Sequence, residues 1–226
     1  FGGGSFYTAL LTFTDLPYTI IPIVSLACNI TVVSGACILF FKKQLISIKK
    51  TLPLVAISIP CSFMGGLIPL AKDFFYLLLG FSLFLAAVSM VIRPKSYTNT
   101  PGKPYLVFTI SGVIGLLAGM VGIGGGIFLS PILNLIHWDT PKKIAATASF
   151  YILANSIFGI MGHLIKINSE ITEINWAFYL LPLAVLLGGT LGSRLLLHKL
   201  NPQKIKLFTA GLVLVAALRL MFRGLS

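Results

Sequence analysis

Eight stretches of this chain carry no Asp, Glu, Lys or Arg: 1–14, 20–41, 51–71, 74–92, 105–136, 144–165, 176–193 and 207–218. Crossing a hydrocarbon core of ~30 Å takes about 20 helical residues. The stretches that begin at Ile20, Thr51, Phe74, Ile144 and Trp176 therefore supply one span each. The last stretch is short, and reaches span length only by running past Arg219 to Phe222 while that arginine snorkels. With 57% of residues hydrophobic, 10% charged and a mean hydropathy of +0.98, there is too little polar surface to coat a globule in water. A soluble enzyme, a secreted module and a disordered linker are excluded, and an all-α polytopic membrane protein is left.

The stretch 105–136 does not fit one span. Its 32 residues would make a helix of about 48 Å, and Gly122-Ile123-Gly124-Gly125-Gly126 sits in its middle. Glycine weakens a helix and reaches backbone angles closed to other residues. The reading is two half-helices, about 105–121 and 127–136, joined by a glycine turn. They either cross as a broken helix or return to the same side as a re-entrant hairpin.

The 17 Lys and Arg against 5 Asp and Glu give a net charge of +12. In a membrane protein the question is which side holds them. If every stretch crosses once, the cations divide 10 against 7. If 105–136 turns back, one side holds Lys42, Lys43, Lys49, Lys50, Arg93, Lys95, Lys103, Lys142, Lys143, Arg194, Lys199, Lys204 and Lys206, which is 13 against 4. Asp15, Asp73, Glu170 and Glu173 fall on the poorer side. The positive-inside rule favours the hairpin, with loops 42–50, 93–104, 137–143 and 194–206 in the cytoplasm.

The two halves also resemble each other. Gly2-Gly3-Gly4 answers to Gly124-Gly125-Gly126, and Asp15-Leu16-Pro17 to Asp139-Thr140-Pro141. Ser25 and Gly35 then pair with Ser149 and Gly159, Gly65-Gly66 with Gly188-Gly189, and Gly80 with Gly211. The expected organisation is a first repeat at 1–92, a linker at 93–104 and a second repeat at 105–226. Each repeat is a glycine-tipped half-helix followed by three spans, and the halves are inverted in the bilayer. That architecture belongs to alternating-access transport, with the site near the midplane at broken helices. The start at Phe1-Gly2-Gly3-Gly4 reads as the inside of an element with a segment before it, and no cleavable signal peptide is visible.

Gly119-Met120-Val121-Gly122-Ile123-Gly124-Gly125-Gly126, Ser130-Pro131-Ile132-Leu133, Ala146-Thr147-Ala148-Ser149, Gly159, His163, Asn175-Trp176, Gly188-Gly189 and Gly192-Ser193-Arg194 follow in that order. The order resembles the TauE/SafE sulfite exporter family, also called the toluene-sulfonate uptake permeases. It covers the second half well and the first half more weakly, through Gly2-Gly3-Gly4-Ser5. In the first half, Pro22-Ile23-Val24-Ser25 stands where the second has Ala146-Thr147-Ala148-Ser149. The resemblance implies about eight membrane segments in two homologous halves. It also implies movement of sulfite, thiosulfate, sulfonates or related anions across a bacterial inner membrane.

The residues supply a chemistry for such a role. A triple glycine at a helix start exposes backbone N–H groups at the positive end of the helix dipole, which suits an anion. The expected substrate-binding set is Gly2, Gly3, Gly4, Ser5, Ser25 and Asn29 from the first half. The second half adds Gly122, Gly124, Gly125, Gly126, Ser130, Thr147, Ser149, Asn155 and His163. A sulfite or sulfonate head offers three acceptor oxygens to these donors. His163 relays a proton, orients the anion or is a solvated helix end. Gly65-Gly66, Gly188-Gly189 and Gly192 read as close-packing positions, and Trp138 and Trp176 as belt residues.

Cys28, Cys37 and Cys61 lie in apolar stretches without metal-ligand spacing and read as buried thiols. No catalytic residue, metal or cofactor is expected. All five acids lie outside the apolar stretches, so coupling by a buried carboxylate is not expected either. The expected partners are a small anion and the bilayer, with no nucleic acid; a homodimer stays open. The competing readings are a passive anion channel, then an intramembrane Ser–His enzyme built on Ser5 and His163.

Overall fold

The computed structural model describes residues 4–14, 16–91, 104–166, 180–189 and 202–225, and nearly all of them are helical. In chain order the helices are α1 (Gly4–Leu11), α2 (Ile21–Lys42), α3 (Ile48–Leu67), α4 (Lys72–Val91), α5 (Pro104–Val121), α6 (Gly126–Leu135), α7 (Pro141–Lys166), α8 (Leu180–Gly189) and α9 (Pro202–Leu225). No strand occurs among the described residues. Proline opens or nearly opens several of them, at Pro22, Pro104, Pro141 and Pro202. There its missing N–H is one the helix does not use.

Five helices are long and apolar enough to cross a membrane: α2, α3, α4, α7 and the Leu207–Leu225 part of α9. The expected short last span is therefore a full one. Arg219 lies within it on the exposed face, its guanidinium 4.5 Å above the Phe13 ring, a cation–π contact that accommodates the charge. Large apolar side chains such as Ile57, Phe81, Phe208 and Phe222 face outward, as a lipid-facing surface requires. Of the stretch at 176–193 only α8 is described; Trp176, Gly192 and Arg194 lie outside the described residues, as do the linker residues 93–103.

Contacts along the helices fix their directions. In α3 and α7, Thr51 meets Thr147, Ser62 donates to the Asn155 carbonyl, and Lys166 reaches the Ile68 carbonyl, so the two run parallel. Ser111 donates to the Leu54 carbonyl, while Gly115 lies against Ser58 and Gly119 against Ser62, so α5 runs parallel to α3 as well. α2 is antiparallel to α7: Leu26 packs at Gly159, and Val33 and Cys37 with Ile152. α4 and α9 are antiparallel, with Gly80 beside Ala217 and Gly224 beside Asp73.

Two ends of the bundle follow. The first carries Lys50, whose ammonium is 2.9 Å from Asp139 in the turn between α6 and α7; Lys143 holds the same carboxylate at 3.7 Å. The second carries Ile68, Lys166 and the start of α4. α5 begins at the first end. α6 returns to it, packing Leu129 and Leu133 with Ile144, Val55 and Leu54.

α3, α5 and α7 touch through small residues. Leu54, Ser58, Ser62 and Gly66 stand at four-residue intervals on α3, facing Ser111, Gly115 and Gly119 on α5 and Gly159 and Gly162 on α7. Between lipid-embedded helices there is no water to expel, so van der Waals contact and interhelical hydrogen bonds provide the attraction, and small residues allow both. Gly65 and Gly66 are packed this way, as expected. At Gly188 and Gly189, no described residue lies within 4 Å of a side chain placed there.

Candidate functional site

The glycine run turns the chain between α5 and α6. Gly122, Gly124 and Gly125 have φ of +82°, +80° and +77°, the left-handed region that side chains disfavour. Gly125 caps α6, and its carbonyl accepts the N–H groups of Phe128 and Leu129. Gly124 lies against Ile152 and Ser156, about midway along α7. The N-terminus of α6 therefore points into the middle of the bundle.

The N-terminus of α1 points to the same place. A side-chain atom on Gly4 would meet the Ile123 carbonyl oxygen and both polar atoms of the Asn29 amide. Asn29 Nδ2 donates to that Ile123 carbonyl at 3.2 Å, so one side chain from α2 joins the two glycine tips. The start of α1 is held from behind. Thr8 donates to the Gly4 carbonyl at 2.7 Å, and Ser25, 2.6 Å from the Thr8 hydroxyl, completes the relay.

The polar groups around this junction are buried and only partly used. Asn29, Asn155 and Ser156 are 0% exposed. Asn29 Oδ1, Ser156 Oγ and both polar atoms of the Asn155 amide have no hydrogen-bond partner among the described residues. Each such orphan costs on the order of 1–3 kcal/mol, so their concentration beside two helix N-termini calls for a ligand. Asn29 Nδ2 and Ser156 Oγ lie 3.1 and 3.2 Å from the side-chain position of Gly124 and so line one spot.

Of the expected site residues, Gly4, Asn29 and Gly124 meet here, with Gly122, Gly125 and Gly126 in the same turn and Ser25 one bond away. Ser5 and Ser130 are buried in the first turns of α1 and α6. Gly2 and Gly3 lie outside the described residues. Thr147 is elsewhere, bonded to Thr51 near the Lys50 end, and Ser149 bonds back to Ala145 of its own helix. Sequence reasoning missed Thr8, Ser156 and the Ile123 carbonyl. Thr8 stands one helical turn after Gly4 and Ser156 adjoins Asn155, which are the signals that could have found them.

His163 is 2% exposed, so it is not a solvated helix end. Its Nε2 lies 2.7 Å from the Gly119 carbonyl oxygen. A carbonyl only accepts, so Nε2–H donates, and Nδ1 has no partner among the described residues. His163 lines a cavity of about 440 Å³ together with Tyr18, Pro22, Phe75, Met120 and Lys166. This cavity belongs to the Ile68 end. Pro22 on its wall also contacts Gly122 of the central turn.

Among the described residues no group of His, Cys, Asp and Glu could hold a metal ion. At the Lys50 end, the Lys50 hydrogen bond is the main cause that holds the Asp139 carboxyl below the usual carboxylate range.

A bundle of apolar crossing helices with two half-helix N-termini meeting inside it defines a multi-pass membrane transporter. The chain belongs to the TauE/SafE family: the family's sequence model, described as "Sulfite exporter TauE/SafE", matches residues 1–220. It is 27% identical over 226 residues to the probable membrane transporter protein y4hK of Sinorhizobium fredii, covering 97% of this chain and 90% of that one. It is 27% identical to the probable membrane transporter protein YunE of Bacillus subtilis, over 67% of this chain and 58% of that one. It is also 30% identical to Sulfite exporter TauE/SafE family protein 6 of Arabidopsis thaliana, over 62% of this chain and 36% of that one. No solved structure matches the chain.

Proposed function

We propose that this chain carries a small anion of the sulfur oxyanion or sulfonate class across a bacterial plasma membrane by alternating access, and holds it where α1 and α6 meet. The carrying observation is the convergence of two glycine-tipped helix N-termini on fully buried Asn29 and Ser156, whose polar atoms are not all satisfied among the described residues. Backbone N–H groups and amide and hydroxyl donors suit the three oxygens of a sulfite or sulfonate head without a buried cation. The printed names of the Arabidopsis relatives, which are sulfite exporter family proteins, point to the same class.

In this reading α5 and α6 form a re-entrant hairpin, and residues 1–92 and 105–226 are inverted repeats joined by the linker 93–104. The directions of the helices support it: α1 runs from the centre to the Ile68 end and α6 from the centre to the Lys50 end. The Lys50 end faces the cytoplasm, since Lys42, Lys43, Lys49, Lys50, Lys142 and Lys143 gather there. The mechanism exposes the central site first to one end and then to the other, as one set of helices rocks against the rest.

Sulfite uptake into proteoliposomes tests this. Gly124→Val forces a side chain into a left-handed position and against Asn29 and Ser156, and is expected to lower flux at least 100-fold while the protein still inserts. Gly35→Val, with nothing within 4 Å, is expected to keep flux. Equal flux in both variants would refute the tip site, and single-channel currents in the parent protein would replace the carrier with a channel.

A further inference from the structure

The cavity at the Ile68 end is separate from the tip site and has its own chemistry. Its wall carries Lys166, at the end of α7, and His163, one turn earlier. Lys166 Nζ is 3.3 Å from the Ile68 carbonyl, which keeps the ammonium at the rim. The His163 proton on Nε2 is committed to Gly119, so Nδ1 is the free end of the ring. A proton added at Nδ1 needs an acceptor, since an unpaired buried charge is costly. None is found there among the described residues, and an anion in the cavity would be one.

The other groups that face this ring leave that role open. α5 presents the Gly119 carbonyl to it, and α3 approaches His163 at its backbone nitrogen, through Gly66. The phenol of Tyr18 and the Lys166 ammonium are the other titratable groups on the cavity wall among the described residues. Lys72 and Asp73 are exposed at the start of α4, before Phe75, and neither lines the cavity.

We propose that this cavity is a second binding site for the transported class of anion, in which Lys166 supplies fixed positive charge and His163 takes up a proton at Nδ1 as the anion arrives. The proposal rests on the transport reading only for the choice of ligand. The binding step is an association: one proton passes from solvent to Nδ1, and the imidazolium then donates to an anion oxygen. Proton and anion each favour the other's binding, as linkage requires. Affinity accordingly rises as pH falls, by up to about tenfold per pH unit while His163 is neutral in the empty protein.

Titration calorimetry of the purified full chain in detergent tests it, with methanesulfonate and thiosulfate as probes. Both are fully ionised near neutral pH, so any proton taken up belongs to the protein. Two amine buffers of different ionisation enthalpy give the proton count. The expected result is uptake of about one proton per anion at near-neutral pH. His163→Gln, which keeps a donor for the Gly119 carbonyl, is expected to abolish the uptake and weaken binding about tenfold or more. Lys166→Gln is expected to weaken binding and keep the uptake. Gly124→Val is expected to lose flux and keep proton-linked binding, which separates this cavity from the tip. Binding without proton uptake, uptake unchanged in His163→Gln, or no binding of either anion overturns the second site. Sulfite flux that persists beside any of those results leaves the tip reading standing.

Discussion

Asn29 stands where the two glycine tips meet, and its amide is half used: Nδ2 holds the Ile123 carbonyl, and Oδ1 holds nothing among the described residues. It was readable as a candidate because Ser25 and Asn29, four apart, share a helix face. The same logic explains what was misread in α7. Thr147 and Ser149 are two apart and point to different sides, so only the helical phase, not the cluster of polar letters, says which of them reaches the centre. Asp139 gives a prediction at this scale. Its folded carboxyl titrates below the unfolded value of ~3.9, so its contribution is fully present above that value and lost as pH falls through the folded one. Acidification from about pH 4 downward is expected to release the turn from Lys50 and Lys143. Trp138, the preceding residue, reports it as a fluorescence step. Asp139→Asn is expected to remove the step, and an unchanged step would show that another group titrates.

Among the elements, the ladder of Leu54, Ser58 and Ser62 against Ser111, Gly115 and Gly119 fixes how deep the α5–α6 turn sits. A side chain on Gly119 would run into the backbone of α3 at Ser62, and backbone cannot swing aside. Gly119→Val is expected to lower stability by about 3 kcal/mol or more, read as a large drop in the detergent melting temperature. Gly188→Val, in open space, is expected to shift it little, and equal melting of the two would show that the ladder does not hold the helices. The break in 105–136 was legible because five residues, four of them glycine, interrupt a run too long for one span. The full length of α9 was only half legible: the contact that carries Arg219 comes from Phe13, more than 200 residues earlier in the chain. Such distant pairings leave no local trace.

The whole molecule has two ends of different charge. Lys42, Lys43, Lys49, Lys50, Lys142 and Lys143 gather at one, and Lys72, Lys166, Arg219 and Arg223 at or toward the other. The ion pair between Lys50 and Asp139 joins two loops that a chain crossing at every stretch would hold on opposite sides. Cysteine labelling in intact cells checks the orientation on a cysteine-free background. Lys43→Cys is expected to resist a membrane-impermeant maleimide until the cells are opened, and Lys72→Cys to react at once; the reverse pattern would invert the topology. The distribution of charge made the two ends legible in the sequence. The repeat pairs the two glycine tips, but the particular contact of Gly4 with the Ile123 carbonyl was not legible, because hydropathy and charge count crossings and do not name the atoms that touch.

The contacts of α3 with α5 and α7 run largely through backbone and side chains no larger than serine, and that leaves a record elsewhere than in the fold. Under random mutagenesis with selection for transport, almost every substitution at the ladder would be a loss. Tolerance would then fall to near zero every fourth residue along α3 and α5, while Gly35 and Gly188 accept most replacements. A survey of viable variants would thus redraw the seam between these helices without any coordinates.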